Sequence, residues 1–143
     1  MIDHVWSLVC SRAVVDTESN NISIQNILER ITVDAEPRPD LAIPVDHEVV
    51  SSWTRHDLSA PARGQMRILW VAPSGQTVRS YTQTADLTEH ANLRTRVRFP
   101  SMPYVELGRH FVCVELQDEG AGAWRRVAAI PLEMLRPSAE VGP

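Results

Sequence analysis

Leu107-Gly108-Arg109-His110-Phe111-Val112-Cys113-Val114-Glu115-Leu116-Gln117 opens on a glycine and then supplies five strong strand formers. In an extended chain, successive side chains point to opposite faces. His110, Val112, Val114 and Leu116 therefore share one face, and Arg109, Phe111, Cys113 and Glu115 the other. Apolar residues on both faces predict a central strand, covered on one side and partly covered on the other.

Working outward, His4 to Cys10 alternates as a first strand that continues extended through Ala13-Val14-Val15. Asp16 to Asn21 then forms a polar hairpin turn, because Asn tolerates positive φ. Ile22 to Val33 fits helical spacing in part, but its β-branched isoleucines favour two short strands broken between Asn26 and Arg30. The prolines of Glu36-Pro37-Arg38-Pro39-Asp40 and of Ile43-Pro44 punctuate a connector that crosses from one sheet to another. Strands follow over Val45–Trp53, Gln65–Ala72 and Gln76–Gln83, the last two joined by the turn Pro73-Ser74-Gly75. Thr84 to Asn92 has the spacing of one short helical turn. Leu93 to Phe99 alternates cleanly, with Leu93, Thr95, Val97 and Phe99 inward and Arg94, Arg96 and Arg98 outward. Gly120-Ala121-Gly122 turns the chain into a final strand, Trp124–Leu132. The expectation is an all-β domain, an antiparallel β-sandwich of about eight strands, Ig/C2-like, over residues 1–135, with a flexible tail over 136–143.

Composition bounds the function. A chain of 143 residues with 43 % apolar and 22 % charged residues has the make-up of a single soluble domain. Its formal charge of −4 argues against general nucleic-acid binding. All fourteen basic residues are arginine, for which a coding bias is the simplest account and the planar guanidinium fork the functional one. No apolar run reaches the ~18 residues of a membrane span, and the N-terminal residues lack the pattern of a secretory signal. Cys10 and Cys113 each lie within apolar strand patterns, as expected for two buried thiols in a reducing cytoplasm, although the sequence leaves a disulfide open. The four tryptophans, Trp6, Trp53, Trp70 and Trp124, are expected to mark the main packing.

The order of features resembles that of a family of small bacterial domains of unknown function. Its carriers are Cys10 with Ala13-Val14-Val15-Asp16, the run Ser23-Ile24-Gln25-Asn26-Ile27-Leu28-Glu29-Arg30-Ile31, the Pro73-Ser74-Gly75 hairpin, and Gly108. The resemblance implies a single β-sandwich and carries no catalytic motif. His110 stands where an aromatic residue, often tyrosine, would follow that glycine.

Candidates for chemistry are few. The histidines are His4, His47, His56, His90 and His110, with no i, i+4 or HxH metal spacing. His56-Asp57 and Asp86 with His90 could each orient an imidazole, but no GxSxG nucleophile accompanies them. Acidic loops at Asp16/Glu18/Asn20, Asp34/Glu36/Asp40 and Asp118/Glu119 could hold a cation if two of them met. Arg94, Arg96 and Arg98, ~7 Å apart along one strand face, form a possible anion or partner patch, weighed against a charged face that guards an edge from pairing. Gly-rich phosphate loops, HExxH and CxxC are absent. The reading is a non-enzymatic binding or assembly module, without cofactor or metal, whose partner is another protein or a second copy of itself, contacted through edge strands and end loops. The alternative is a ligand or cation site using the acidic loops, or His47 and His110, at one end of the sandwich.

Overall fold

The computed structural model describes residues 1–137. Its strands are β1 (Ile2–Val15), β2 (Ile22–Ile27), β3 (Arg30–Thr32), β4 (Ala42–Ile43), β5 (His47–Arg55), β6 (Ala62–Val71), β7 (Thr77–Leu87), β8 (Asn92–Phe99), β9 (Met102–Pro103), β10 (Gly108–Asp118) and β11 (Arg125–Leu135). They form a four-stranded sheet in the order β2-β1-β5-β8, a five-stranded sheet in the order β3-β11-β10-β6-β7, and a small β4-β9 pair. One sheet is strongly curled, as a half-barrel. There is no helix among the described residues, so the short turn expected within 84–92 is instead the end of β7 and a bend. All long pairings are antiparallel, but β3 runs parallel to β11, so the sheets are mixed.

The strand around Val112 is central, as expected: β10 is the middle strand of five, between β11 and β6. His110, Val112, Val114 and Leu116 are buried in the core, and Cys113 and Glu115 are buried on the opposite face. One apolar cluster joins the inner faces of both long sheets, with Val9, Val49, Trp53, Val97 and Phe99 from one and Met66, Ile68, Trp70, Val112 and Leu132 from the other. Trp53 and Trp70 are fully buried, whereas Trp6 and Trp124 are only half-buried. A smaller cluster of Cys10, Ala13 and Val50 lies apart, with Trp6 and Leu8 packed on it. Both cysteines are free.

The break expected in Ile22–Val33 is real. Asn26 takes φ 56°, its side-chain amide donates to Ser11 Oγ at 2.7 Å, and buried Leu28 turns the corner. The chain leaves the four-stranded sheet as β2 and enters the five-stranded one as β3. The proline connector then crosses back to β5 through β4, as expected. The tail expected over 136–143 lies, from residue 138 on, outside the described residues, and Arg136 pairs with Glu36.

Two glycines are needed for space or conformation. Gly108, at φ 114°, turns into β10 beneath the Pro73 ring, which a Cβ would meet at 3.3 Å. At Gly64 a Cβ would stand 2.5 Å from the Gln117 carbonyl oxygen of the adjacent strand, so β6 and β10 could not keep their spacing. Gly64→Ala is expected to destabilise the fold by about 1–3 kcal/mol. A urea titration that leaves its midpoint unchanged would show that the ladder gives way freely there.

Candidate functional site

Each arginine of the β8 row has a partner. Arg98 forms a two-pronged pair with Asp46, at 2.5 Å for the closer contact, and Arg94 donates to the Asn20 carbonyl at 3.1 Å. Arg96 is the most committed of the three. Strand β1 is paired to β5 only as far as Cys10, opposite Glu48, so beyond that point its β5-side backbone has no strand beside it. Two side chains stand in for the missing strand. Buried Glu48 accepts the Ala13 N–H at 2.8 Å, and Arg96 donates to the Ala13 carbonyl at 2.8 Å while binding Glu48 at 3.0 Å. The start of β1, paired with β5 at Ile2 but not reached by β2 on its other side, has a similar clamp. Asp118 accepts the Ile2 N–H at 2.9 Å, and Arg125 donates both to the Ile2 carbonyl and to Asp118. On the outer face of the other sheet, buried Glu115 is held by Arg67 at 2.6 Å and Arg126 at 3.1 Å, and Arg67 lies over the Trp124 ring at 4.2 Å.

His47 and His110, named together from the sequence, do lie near one another inside, and Arg79 is the member of this polar centre that the sequence does not announce. His47 is fully buried, and Arg79 reaches it from β7. Arg79 donates to the Ser101 carbonyl at 2.6 Å and to His47 Nε2 at 3.1 Å, with its guanidinium 4.0 Å from the Phe99 ring and 5.0 Å from that of Trp70. No carboxylate pairs with it among the described residues. Desolvation lowers its pKa from the usual value to about 10. A guanidinium can only donate, so His47 Nε2 is the acceptor, and Nδ1 carries the proton that it gives to the Val45 carbonyl at 2.8 Å. Burial, first of all, lowers the pKa of His47.

Trp70 brings His47 and His110 into one group, with ring centroids 6.1 and 5.9 Å from its own. His110 Nδ1–H donates to the Gly108 carbonyl at 3.1 Å, whereas His110 Nε2 and Trp70 Nε1 are buried without a hydrogen-bond partner. Burial lowers the pKa of His110 as well. A second inner chain links His4 Nε2 to Ser7 Oγ and Ser7 Oγ to Ser51 Oγ, each at 2.7 Å, beside the Trp53 Nε1–Thr95 hydrogen bond.

The other candidates do not assemble. His56 pairs with Asp3 at 2.9 Å rather than with Asp57, whose carboxylate holds Ser59. Asp86 binds the Thr88 backbone and hydroxyl, and His90 is exposed. Asp16 caps its own turn through the Glu18 N–H, and Asp118 is committed to Ile2 and Arg125. Among the described residues no group of three or more His, Cys, Asp or Glu is placed to hold a metal ion. A groove of about 700 Å³ lies along the β2–β3 corner between Ile27, Leu28, Arg30, Ile130 and Pro131. No helix of the described residues is long and apolar enough to cross a membrane. The chain matches no protein-family model and no curated protein.

The arginine row thus divides into a structural member and a surface member, and the two can be told apart. Arg96→Ala is expected to cost about 2 kcal/mol or more, because it leaves Glu48 buried beside an unpaired Ala13 carbonyl. Arg98→Ala, which breaks only an exposed pair, should leave the denaturation midpoint in place. Equal losses at the two positions would contradict this division.

Proposed function

We propose that the chain is a non-enzymatic β-sandwich module, antiparallel in its eight long strands and Ig/C2-like, that assembles with a second copy of itself through the edge strand β7. The observation that carries this reading is the free side of β7. It is eleven residues long and pairs only with β6 among the described residues. Natural edge strands are ordinarily shortened, bent or guarded by charge. The other edges here follow that rule. β3 has three residues, β2 is bent at Asn26, and β8 presents Arg94, Arg96 and Arg98 outward. β7 is guarded only near its two ends, by a bulge at Val78 and by Asp86, and its middle is open. Its one arginine, Arg79, turns inward, and Ser80, Thr82 and Thr84 on its outer face are small and neutral.

Antiparallel pairing of β7 with its own copy about a two-fold axis at Thr82 would set Ser80 opposite Thr84 and Tyr81 opposite Gln83. No like charges would be opposed. The resemblance to small bacterial domains and a cytoplasmic location, which two free buried thiols suit, belong to the same proposal. A second reading, a small ligand at the histidine end, is favoured by one observation, the unpartnered Trp70 Nε1 and His110 Nε2. Calorimetric titration with Zn²⁺, Ca²⁺ and inorganic phosphate tests it, and an absence of heat with all three would reject it for those ligands.

Light scattering over a range of concentrations tests self-assembly. The wild-type mass should exceed the 16.0 kDa of one chain. Thr82→Glu should return it to one chain with at least tenfold weaker association. The introduced carboxylate would face Arg67 within its own sheet but another carboxylate across the two-fold axis. A wild-type protein that is monomeric at every concentration, or a variant that assembles as well as wild type, would overturn the proposal.

A further inference from the structure

We propose that His47 and Arg79 form an acid-sensitive latch across the seam between β7 and β8, and that protonation of His47 opens it. β7 and β8 lie in different sheets and share no backbone ladder. Residues 88–91 connect them at one end, where Ala85 and Leu87 share the core with Val97; at the other end, around Phe99, a short set of side-chain contacts holds them. Arg79 from β7 lies over Phe99 of β8 and donates to the Ser101 carbonyl just beyond it, and Tyr81 packs edge-on against Phe99. His47, stacked on Phe99 with centroids 5.5 Å apart, completes the set by accepting from Arg79. The latch therefore depends on a lone pair at His47 Nε2.

A proton at Nε2 removes that acceptor and places a second cation 3.1 Å from the guanidinium nitrogen, out of water. The charged and titratable surroundings offer little compensation. From β7 come Arg79 and Tyr81, and from β6 only Trp70. From β10, beyond Trp70, comes His110, itself buried, with its pKa likewise lowered by burial. From β8 comes Arg98, which already binds Asp46, the nearest carboxylate along the chain and half exposed. Glu48 and Arg96 are paired on the far face of β5. Burial is the main cause, and Arg79 a further one, of a His47 pKa below its ordinary value, against weaker opposing effects of Val45 and Asp46.

The sign follows from linkage. With a folded-state pKa below the unfolded value of about 6.5, His47 binds its proton more readily once released. Its stabilising contribution is full above pH ~6.5 and is lost as the pH falls through the folded-state value. The latch does not depend on what β7 docks, and its readout differs from the mass measurement that tests assembly.

Two measurements on the whole chain decide the matter. In imidazole nitrogen NMR, His47 should be the Nδ1–H tautomer at pH 7.5 and should titrate below 6.5. Hydrogen exchange, corrected for its intrinsic pH dependence, should show β7 and β8 losing at least tenfold in protection between pH 7.5 and pH 5.0 while β10 keeps its own. His47→Gln, whose amide oxygen can still accept from Arg79, and Arg79→Met, which keeps the packing over Phe99 without the charge, should each abolish that difference. Protection that falls equally in wild type and in either folded variant, or that falls together in β7, β8 and β10, would overturn the latch. Should neither variant fold, the wild-type titration decides, and a His47 that titrates at 6.5 or above, or stays neutral while the strands open, rejects the proposal.

Discussion

The backbone of β1 must be satisfied at both of its ends, and much of the charged architecture follows from that requirement. β1 is longer than the ladders its neighbours offer, since β5 pairs it from Ile2 to Cys10 and β2 only from Cys10 to Val15, and an unpaired buried peptide group carries a desolvation cost of about 1–3 kcal/mol. Glu48 with Arg96 supplies an acceptor and a donor to Ala13, and Asp118 with Arg125 does the same for Ile2. In each case a carboxylate takes the N–H, an arginine takes the carbonyl, and the two side chains bind each other. A strand neighbour has been replaced by an ion pair. The second clamp also crosses between sheets, since Asp118 and Arg125 belong to β10 and β11 while Ile2 begins β1.

The interior follows a different rule. Its polar groups come from histidine, serine, threonine, tryptophan and Tyr104, whose hydroxyl donates to the Ala35 carbonyl, arranged so that no buried carboxylate is needed inside. His4–Ser7–Ser51 and Trp53–Thr95 form closed local sets, whereas the group around Trp70 is left with one bare donor and one bare acceptor. Neutral imidazole suits such a setting because it offers one donor and one acceptor without charge. Arg79 is the exception, a cation held by a carbonyl, an imidazole and two ring faces. That combination ties the state of the β7–β8 seam to the protonation of one side chain.

What the sequence discloses and what it conceals divide along a physical line. Local periodicity places β10 in the middle of its sheet, gives β8 its outward arginines, breaks Ile22–Val33 near Asn26 and closes a hairpin at Gly75. All of these depend on neighbours two to four residues away. Thr84 to Asn92 misleads because its polar spacing permits a helical turn, while pairing with β6 as far as Leu87 holds the chain extended. His47 and His110 are legible as a pair, but the Arg79 part of the site escapes sequence reading for a similar reason. Arg79 sits in a polar strand of ordinary composition, and only the tertiary register turns it under Phe99. His56 next to Asp57 suggests a pair, yet the Asp3 that binds it lies 53 residues away in sequence.

The all-arginine composition then gains a structural counterpart to its coding-bias explanation. Arg96 serves a carboxylate and a carbonyl at once, Arg125 does likewise, and Arg55 donates to the carbonyls of Leu87, Leu58 and Thr88. Each of these tasks needs donors fixed at an angle on a planar group, which a lysine ammonium on a flexible stem does not provide. Lysine could keep the charge at these positions but not the clamp. Arginine is therefore required by the fold where it replaces missing backbone partners, at Ala13 and Ile2, whereas the two-pronged Arg98–Asp46 pair lies exposed and holds no backbone group. The three arginines of one strand face look equivalent in sequence, and they differ because the ladder between β1 and β5 stops at Cys10.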